Sequence, residues 1–289
     1  MRVLIVLSIC ALALAAAGGA LVYSGVYDTA ATDQHTAPVY WLLKTAMRQS
    51  IRSHARRVDV PALGDASLVT RGRALYGAEC ARCHGAPGIA PEPFALGLRP
   101  TPANLANTGI EWPPADLFWT IKHGLKMTGM PSWQFRLPDD ALWAIVAYLQ
   151  VLPYESPRQY RSMLSTAAAT PPTATPSAAM SAAAAVGPGS LAAPALPGNP
   201  ERGEHVMQQY ACIVCHEIPG IVGASVPVGP PLQHMARRSF IAGVIPNTRD
   251  NMVRWLRAPE AFVPDGAMPN LGVTEQDARD MAAYLQTLQ

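Results

Sequence analysis

The pentapeptide Cys-x-x-Cys-His occurs twice, at Cys80–His84 and Cys212–His216, and it constrains this 289-residue chain more than any other feature. Each copy sits at the same place in a longer repeat. The first repeat reads TRGRALYGAECARCH, then TGMPSW, then LPDDALWAIVAYLQVL. The second reads ERGEHVMQQYACIVCH, then GAMPNL, then VTEQDARDMAAYLQTL. The shared order is Arg-Gly, an apolar helical stretch, the cysteine motif, Met-Pro, and a closing helix ending in Ala-Tyr-Leu-Gln. From His84 to Met130 is 46 residues, and from His216 to Met268 is 52. Each unit is about 90 residues of short helices and Pro-rich loops. That is a small core for so much loop, and a large buried cofactor would complete it.

The spacing has a chemical reason. Two thiols three positions apart on one turn reach the two vinyl groups on one edge of a haem and form thioethers. The histidine that follows is then held beneath the iron as an axial ligand. Four of the five cysteines, Cys80, Cys83, Cys212 and Cys215, are thus expected to attach two haems, with His84 and His216 on the irons, so disulfide counting does not apply. The fifth, Cys10, lies in an apolar run. A thioredoxin-like pair would need a βαβ pattern, which neither motif has nearby. A zinc site would need adjacent Cys and His on one tetrahedral ion, and no second cysteine pair lies in either unit.

The sixth ligand is expected to be Met130 in the first unit and Met268 in the second. Thioether is a soft ligand that favours ferrous iron, and Pro131 and Pro269 restrain the backbone of the methionine before them. The competitors are Met127 and His123 in the first unit, and Met235, His234 and Met252 in the second. Met252 and Met281 fall in helical patterns and read as core. An axial histidine usually donates its other ring N–H to a carbonyl. Pro230 in VGPPL is the candidate for His216; for His84, Pro100 and Pro102 in LRPTPANL both stand. Arg237, Arg238 and Trp255 read equally as partners of the second haem's propionates or as a solvated pair and a core Trp. Tyr148 and Tyr284 read as packing residues.

Around these units the chain divides into 1–24, an anchor or signal peptide; 25–65, a juxtamembrane segment; 66–155 and 201–289, the two units; and 156–200, a linker. Val3 to Val22 is an apolar run with Ser8 as its one clearly polar side chain. Small residues at Ala15–Gly18 suit a cleavage site. The run nevertheless continues to the roughly 20 residues that a span needs, which favours an uncleaved anchor. Arg2 before it, with no Lys or Arg after it until Lys44, orients the rest of the chain out of the cytoplasm. Residues 38–58 read as an amphipathic helix with a basic stripe of Lys44, Arg48, Arg52, Arg56 and Arg57. That stripe serves either as a collar on anionic lipid or an acidic partner, or as a solvated face of a helix packed on its own domain. Residues 162–200 carry no charge and are mostly Ala, Pro, Thr, Ser and Gly, a composition that cannot offset its ordering entropy. The second unit carries seven basic and nine acidic groups, so it is expected to dock a basic face, with rates that fall as salt rises. The formal net charge of +2, with no broadly basic region, excludes nucleic acid as a partner.

The chain resembles membrane-anchored dihaem cytochromes c. The resemblance covers residues 66–154 and 201–289. The stretch IAGVIPNTRDNMVRWLRAPEAFVPDGAMPNLGVTEQDARDMAAYL looks like the cytochrome c domains fused to subunit II of some haem-copper oxidases. IKHGLKMTGMPSW looks like cytochrome c domains of other respiratory chains. The resemblance implies an all-α fold of two tandem class I cytochrome c domains. Cys212, Cys215, His216 and Met268, supported by Pro230 and Trp255, hold one covalent c-type haem; Cys80, Cys83, His84 and Met130 hold the other. It departs from subunit II itself, because one N-terminal span is present and no cysteine remains for a dinuclear copper site. The implied function is one-electron transfer in a periplasmic respiratory chain, from a quinol-oxidising complex or dehydrogenase towards a terminal oxidase. No small-molecule substrate is expected. The membrane is reached through the N-terminal helix, and the haem domains face the periplasm of a bacterial cytoplasmic membrane. The alternatives are a permanent subunit of such a complex and, less favoured because Met-Pro occurs in both units, a dihaem peroxidase.

Overall fold

The structure, a computed structural model, describes residues 1–168, 196–223 and 228–289. Its helices are α1 (Arg2–Ser24), α2 (Ala37–Ala55), α3 (Ala66–Leu75), α4 (Ala81–His84), α5 (Pro93–Leu96), α6 (Thr108–Glu111), α7 (Pro114–His123), α8 (Asp139–Val151), α9 (Pro157–Ala168), α10 (Pro200–Gln209), α11 (Arg249–Arg257) and α12 (Glu275–Leu285). A two-stranded hairpin, β1 (Phe240–Ile241) with β2 (Ile245–Pro246), pairs antiparallel with Ile241 opposite Ile245. Among the described residues the architecture is all-α apart from this hairpin, which the repeat pattern does not announce.

Residues 1–35 form a unit of their own. Its helix α1 has a mean hydropathy of 2.5 over its best window and buries no residue. At 1.5 Å per residue, its 23 residues extend about 35 Å, enough to cross the roughly 30 Å hydrocarbon layer of a bilayer. Among the described residues it is the one helix long and apolar enough to do so.

Residues 36–289 form the second unit, which holds two cores. In the first, α3 crosses α8 and Tyr76, Leu142, Ile145 and Tyr148 are almost wholly buried. In the second, α10 crosses α12 in the same way, around Met207, Met252, Met281 and Leu285. The Arg-Gly of each repeat marks the crossing. A Cβ on Gly72 would lie 1.9 Å from the Ala144 carbonyl oxygen, and one on Gly203 would lie 2.1 Å from that of Asp280. In both cases it would also come 2.9 Å from Cβ of the tyrosine in Ala-Tyr-Leu-Gln. Only a residue without a side chain lets the two backbones meet this closely.

The helix starts are locally encoded. The Asp65 carboxylate caps α3 by accepting from the Ser67 and Leu68 amides. Asn199, Thr248 and Thr274 cap α10, α11 and α12, each satisfying an amide that the first helical turn leaves free. Tyr148 and Tyr284 do more than pack. The Tyr148 hydroxyl donates to Glu155 at 2.6 Å and that of Tyr284 to the Pro219 carbonyl at 2.6 Å. A buried phenol needs a partner for its O–H, and each helix places one within reach.

Helix α2 divides its work. Ile51 and Ala55 are buried, the Arg48 guanidinium lies 4.0 Å from the Trp112 ring centroid, and His54 stacks on Trp119 at 5.2 Å. Part of the basic stripe is therefore spent on the helix's own domain, while Arg52, Arg56 and Arg57 remain exposed, as does Trp41 near the helix start. Most of the linker expected at 156–200 lies outside the described residues, but its beginning is helix α9. Pro157 sits at the first turn, Tyr160 is 2% exposed in the first core, and Arg158 and Arg161 face Asp265. Tyr160 gives α9 a buried anchor in that core.

Candidate functional site

Each cysteine motif follows the helix that opens its repeat, through a different kind of turn. In the first, Cys80 ends a wide turn after α3, and α4 carries Arg82, Cys83 and His84. The motif is tied down on both sides. The Tyr76 hydroxyl donates to the Gly85 carbonyl at 2.7 Å, and Arg82 makes a two-pronged pair with Glu92 at 2.8 and 3.0 Å. In the second, Cys212–Val214 forms a single 3-10 turn, and the His216 amide donates to the Cys212 carbonyl at 3.0 Å.

No cysteine among the described residues is in a disulfide. Burial pushes the Cys80 and Cys212 thiols up to about 12, and burial pushes Cys215 up to about 11. That is the reverse of a thioredoxin-type pair, whose nucleophilic thiol is lowered. Among the described residues, no group of three or more His, Cys, Asp or Glu is placed to hold a metal ion.

Both histidines have one ring nitrogen committed. His84 Nδ1 lies 2.6 Å from the Ala103 carbonyl oxygen, and His216 Nδ1 lies 2.7 Å from that of Pro230. Donation through Nδ1 fixes the tautomer and leaves Nε2 with its lone pair outward, the state a metal ligand needs. Burial also lowers both histidines, which favours the neutral ring. The first partner is Ala103, so neither Pro100 nor Pro102 serves. The chain passes the ring one residue after Pro102, a register that a motif cannot set.

The Pro230 loop is itself supported. Arg238 donates to the Pro231 and Gln233 carbonyls, so this arginine is a brace behind His216, a role its sequence does not reveal. The Gly229 amide donates to the Cys215 carbonyl at 2.7 Å. A Cβ on Gly229 would sit 2.4 Å from Cε1 of His216 and 2.8 Å from Nδ1. The cradle around His216 has room for the ring because that position is glycine.

Met130 and Met268 lie on loops ahead of the closing helices, and each packs against the core of its own unit. The Met130 amide donates to Thr128 Oγ1 at 3.0 Å, and the next residues run along the end of α7, with Ser132 donating to the Lys122 carbonyl at 2.8 Å. The competing residues have surroundings of their own. Met127 is 85% exposed with a positive φ, and His123 packs against Trp119 at 5.0 Å. Met235 and Met252 are buried in the second core. His234 Nδ1 lies 2.6 Å from the Gln289 carbonyl oxygen. Trp255 is half-buried against the same core, with its ring 6.1 Å from that of Phe262.

Two cysteines outside any disulfide, a histidine held through Nδ1 and a methionine on the loop before the closing helix recur in both units, and the Gly229 cradle leaves the His216 ring its space. These donors fit a thioether-linked haem in each unit. Comparison with known proteins agrees. Residues 67–149 match the family described as cytochrome c oxidase, cbb3-type, subunit III, and residues 200–289 match the family described as cytochrome c. A curated relative, cytochrome c oxidase subunit 2 of Alkalihalophilus pseudofirmus, is 30% identical over 88 residues, covering 30% of this chain. The chain spans a quarter of that protein's length, 25%. No solved structure matches the chain.

Proposed function

The chain belongs to the c-type cytochromes with two haem domains, and on that premise we propose that it relays single electrons in a periplasmic respiratory chain. Its cofactors are two covalently bound c-type haems, and its chemistry is electron transfer. When bound, each haem iron accepts and returns one electron. The protein's part is to hold each haem through its cysteines and to offer histidine and methionine donors to the iron.

Residues 66–155 and 201–289 are assigned to the two haem domains. Cys80 and Cys83 would attach the first haem, and His84 and Met130 would bind its iron. Cys212, Cys215, His216 and Met268 would do the same for the second. The carbonyls of Ala103 and Pro230 keep each histidine neutral at Nε2, and Trp255 is assigned as a support of the second haem. The observation that carries this reading is the pair of histidine anchors at 2.6 and 2.7 Å, one in each repeat. Thioether ligation raises a potential and leaves no open coordination position for substrate.

Helix α1 serves as the membrane anchor in this reading, with the haem domains on the periplasmic side of a bacterial cytoplasmic membrane. The electron comes from a quinol-oxidising complex or dehydrogenase and leaves towards a terminal oxidase. A second reading, a permanent subunit of an oxidase complex, is favoured by the oxidase-subunit names of the family matched at 67–149 and of the curated relative.

A potentiometric titration tests the ligand assignment. Wild type gives two one-electron steps, and Met130→Ala and Met268→Ala each lower one of them. Unchanged potentials and spectra in both variants would refute it. Copurification of oxidase subunits after mild detergent extraction selects the second reading over a diffusing carrier.

A further inference from the structure

We infer that the first haem domain completes the second domain's haem cradle, with Asn104, Arg158 and Arg161 as positioning residues for the second haem. This rests on the dihaem reading above. Three separate stretches reach the second domain: α2 before the first domain, the Asn104 loop within it, and α9, which follows it and packs Tyr160 into its core. The Tyr40 hydroxyl on α2 donates to the Gly223 carbonyl at 2.6 Å. Asn104 Nδ2 lies 3.4 Å from Cys215 Sγ, within donating distance for sulfur. Arg158 and Arg161 on α9 both pair with the Asp265 carboxylate, Arg161 at 3.1 Å.

These contacts fall on both sides of the second cradle. Cys215 Sγ is a free thiol here and becomes the thioether sulfur when the haem is attached, still a weak acceptor for an amide N–H. Asp265 stands three residues before Met268, on the loop that presents the thioether. Asn104 thus touches a cysteine that would attach the second haem, and α9 touches the loop that carries Met268.

The same residues lead back to the first cradle. Asn104 follows Ala103, whose carbonyl accepts from the His84 ring. One stretch of backbone therefore anchors the first axial histidine and reaches the second haem's sulfur. Helix α9 does likewise. A Cβ on Gly88, just past the first motif, would lie 2.8 Å from Pro157 and 3.1 Å from Arg161 Nη1. Arg161 rests on the first motif's loop while its guanidinium holds the second methionine's loop. The basic face expected to meet the acidic second unit is thus present in the same chain, on α9.

The test uses the full-length holoprotein. Arg158→Gln/Arg161→Gln, Asn104→Leu and a charge swap, Arg158→Asp/Arg161→Asp with Asp265→Arg, are compared by hydrogen–deuterium exchange and by redox titration. In the double Gln variant, exchange of residues 264–268 accelerates while the first methionine loop, 124–131, is unchanged. Raising salt does the same to wild type, and the charge swap restores protection. Asn104→Leu shifts one midpoint potential and leaves the other. Unchanged exchange at 264–268 in the double Gln variant and at high salt, with both potentials unmoved in Asn104→Leu, overturns the inference. Covalent haem content on the same samples separates the two readings. Fewer than two haems in wild type refutes the dihaem relay itself, whereas two haems with unchanged exchange and potentials refutes the docking alone.

Discussion

Gly203→Ala places one methyl group at the crossing of α10 and α12. Its Cβ would stand 2.1 Å from the Asp280 carbonyl oxygen, 2.6 Å from the carbonyl carbon and 2.9 Å from Cβ of Tyr284, where ordinary contact begins near 3.4 Å. The obstacles are the Asp280 backbone and a Cβ atom whose place the Tyr284 backbone fixes, so no side-chain rotation relieves them and the helices must separate. Overpacking of this kind costs about 3 kcal/mol, the upper end of its usual range. Alanine's better helix propensity returns about 1 kcal/mol. The net loss is about 2 kcal/mol. In a domain of this size each kcal/mol lowers Tm by about 4–8 °C, so the second domain should melt about 8–16 °C lower. Calorimetry of the holoprotein reads this directly, and Gly72→Ala should lower the first domain's transition in the same way. A Gly203→Ala protein that melts at or above the wild-type temperature would refute the close crossing, because propensity alone would then govern the site.

Three further outcomes are expected. Hydrogen bonding from Arg158, with the guanidinium charges beside it, holds the Asp265 carboxyl below its ordinary range. Its contribution is therefore complete above the unfolded carboxylate range and is lost as pH falls through the lower folded value. Protection of residues 264–268 should fade on acidification, and Arg158→Gln/Arg161→Gln should abolish that dependence. Gly229→Ala drives a methyl group into the His216 ring, so it should disturb the second haem's ligation, visible by resonance Raman, while the first keeps its wild-type spectrum. Asp280 is 1% exposed and accepts from Arg202, Gln276 and the Asn199 amide. Asp280→Asn turns one charge-assisted acceptor into a donor facing Arg202, and denaturant unfolding should show a loss of about 1.5–3 kcal/mol in the second domain.

What the sequence discloses is chemistry carried by neighbours along the chain. The cysteine motifs, the Met-Pro loops and the repeat order follow from local spacing, and so does the apolar helix at Arg2–Ser24. Several features depend instead on residues distant in sequence. The Arg-Gly pairs are visible as a repeat, but their purpose appears only when α3 meets α8 and α10 meets α12. His84 finds Ala103 rather than either nearby proline, because loop register is set by packing 19 residues away. Tyr148 and Tyr284 read as filler until their hydroxyl partners are in place. Helix α9 is disguised by the charge-free composition that follows it, although Tyr160 and two arginines give it a core to join and a carboxylate to hold. Asn104 carries no signal at all, since its partner lies 111 residues further on.

The central claim is that each repeat holds its own covalently attached haem. Intact mass and haemochrome absorbance measure this together on the purified full-length protein. Wild type should carry two haems per chain, and Cys80→Ser/Cys83→Ser and Cys212→Ser/Cys215→Ser should each carry one. A wild-type chain with a single haem, or a double-serine variant that still carries two, would contradict the account.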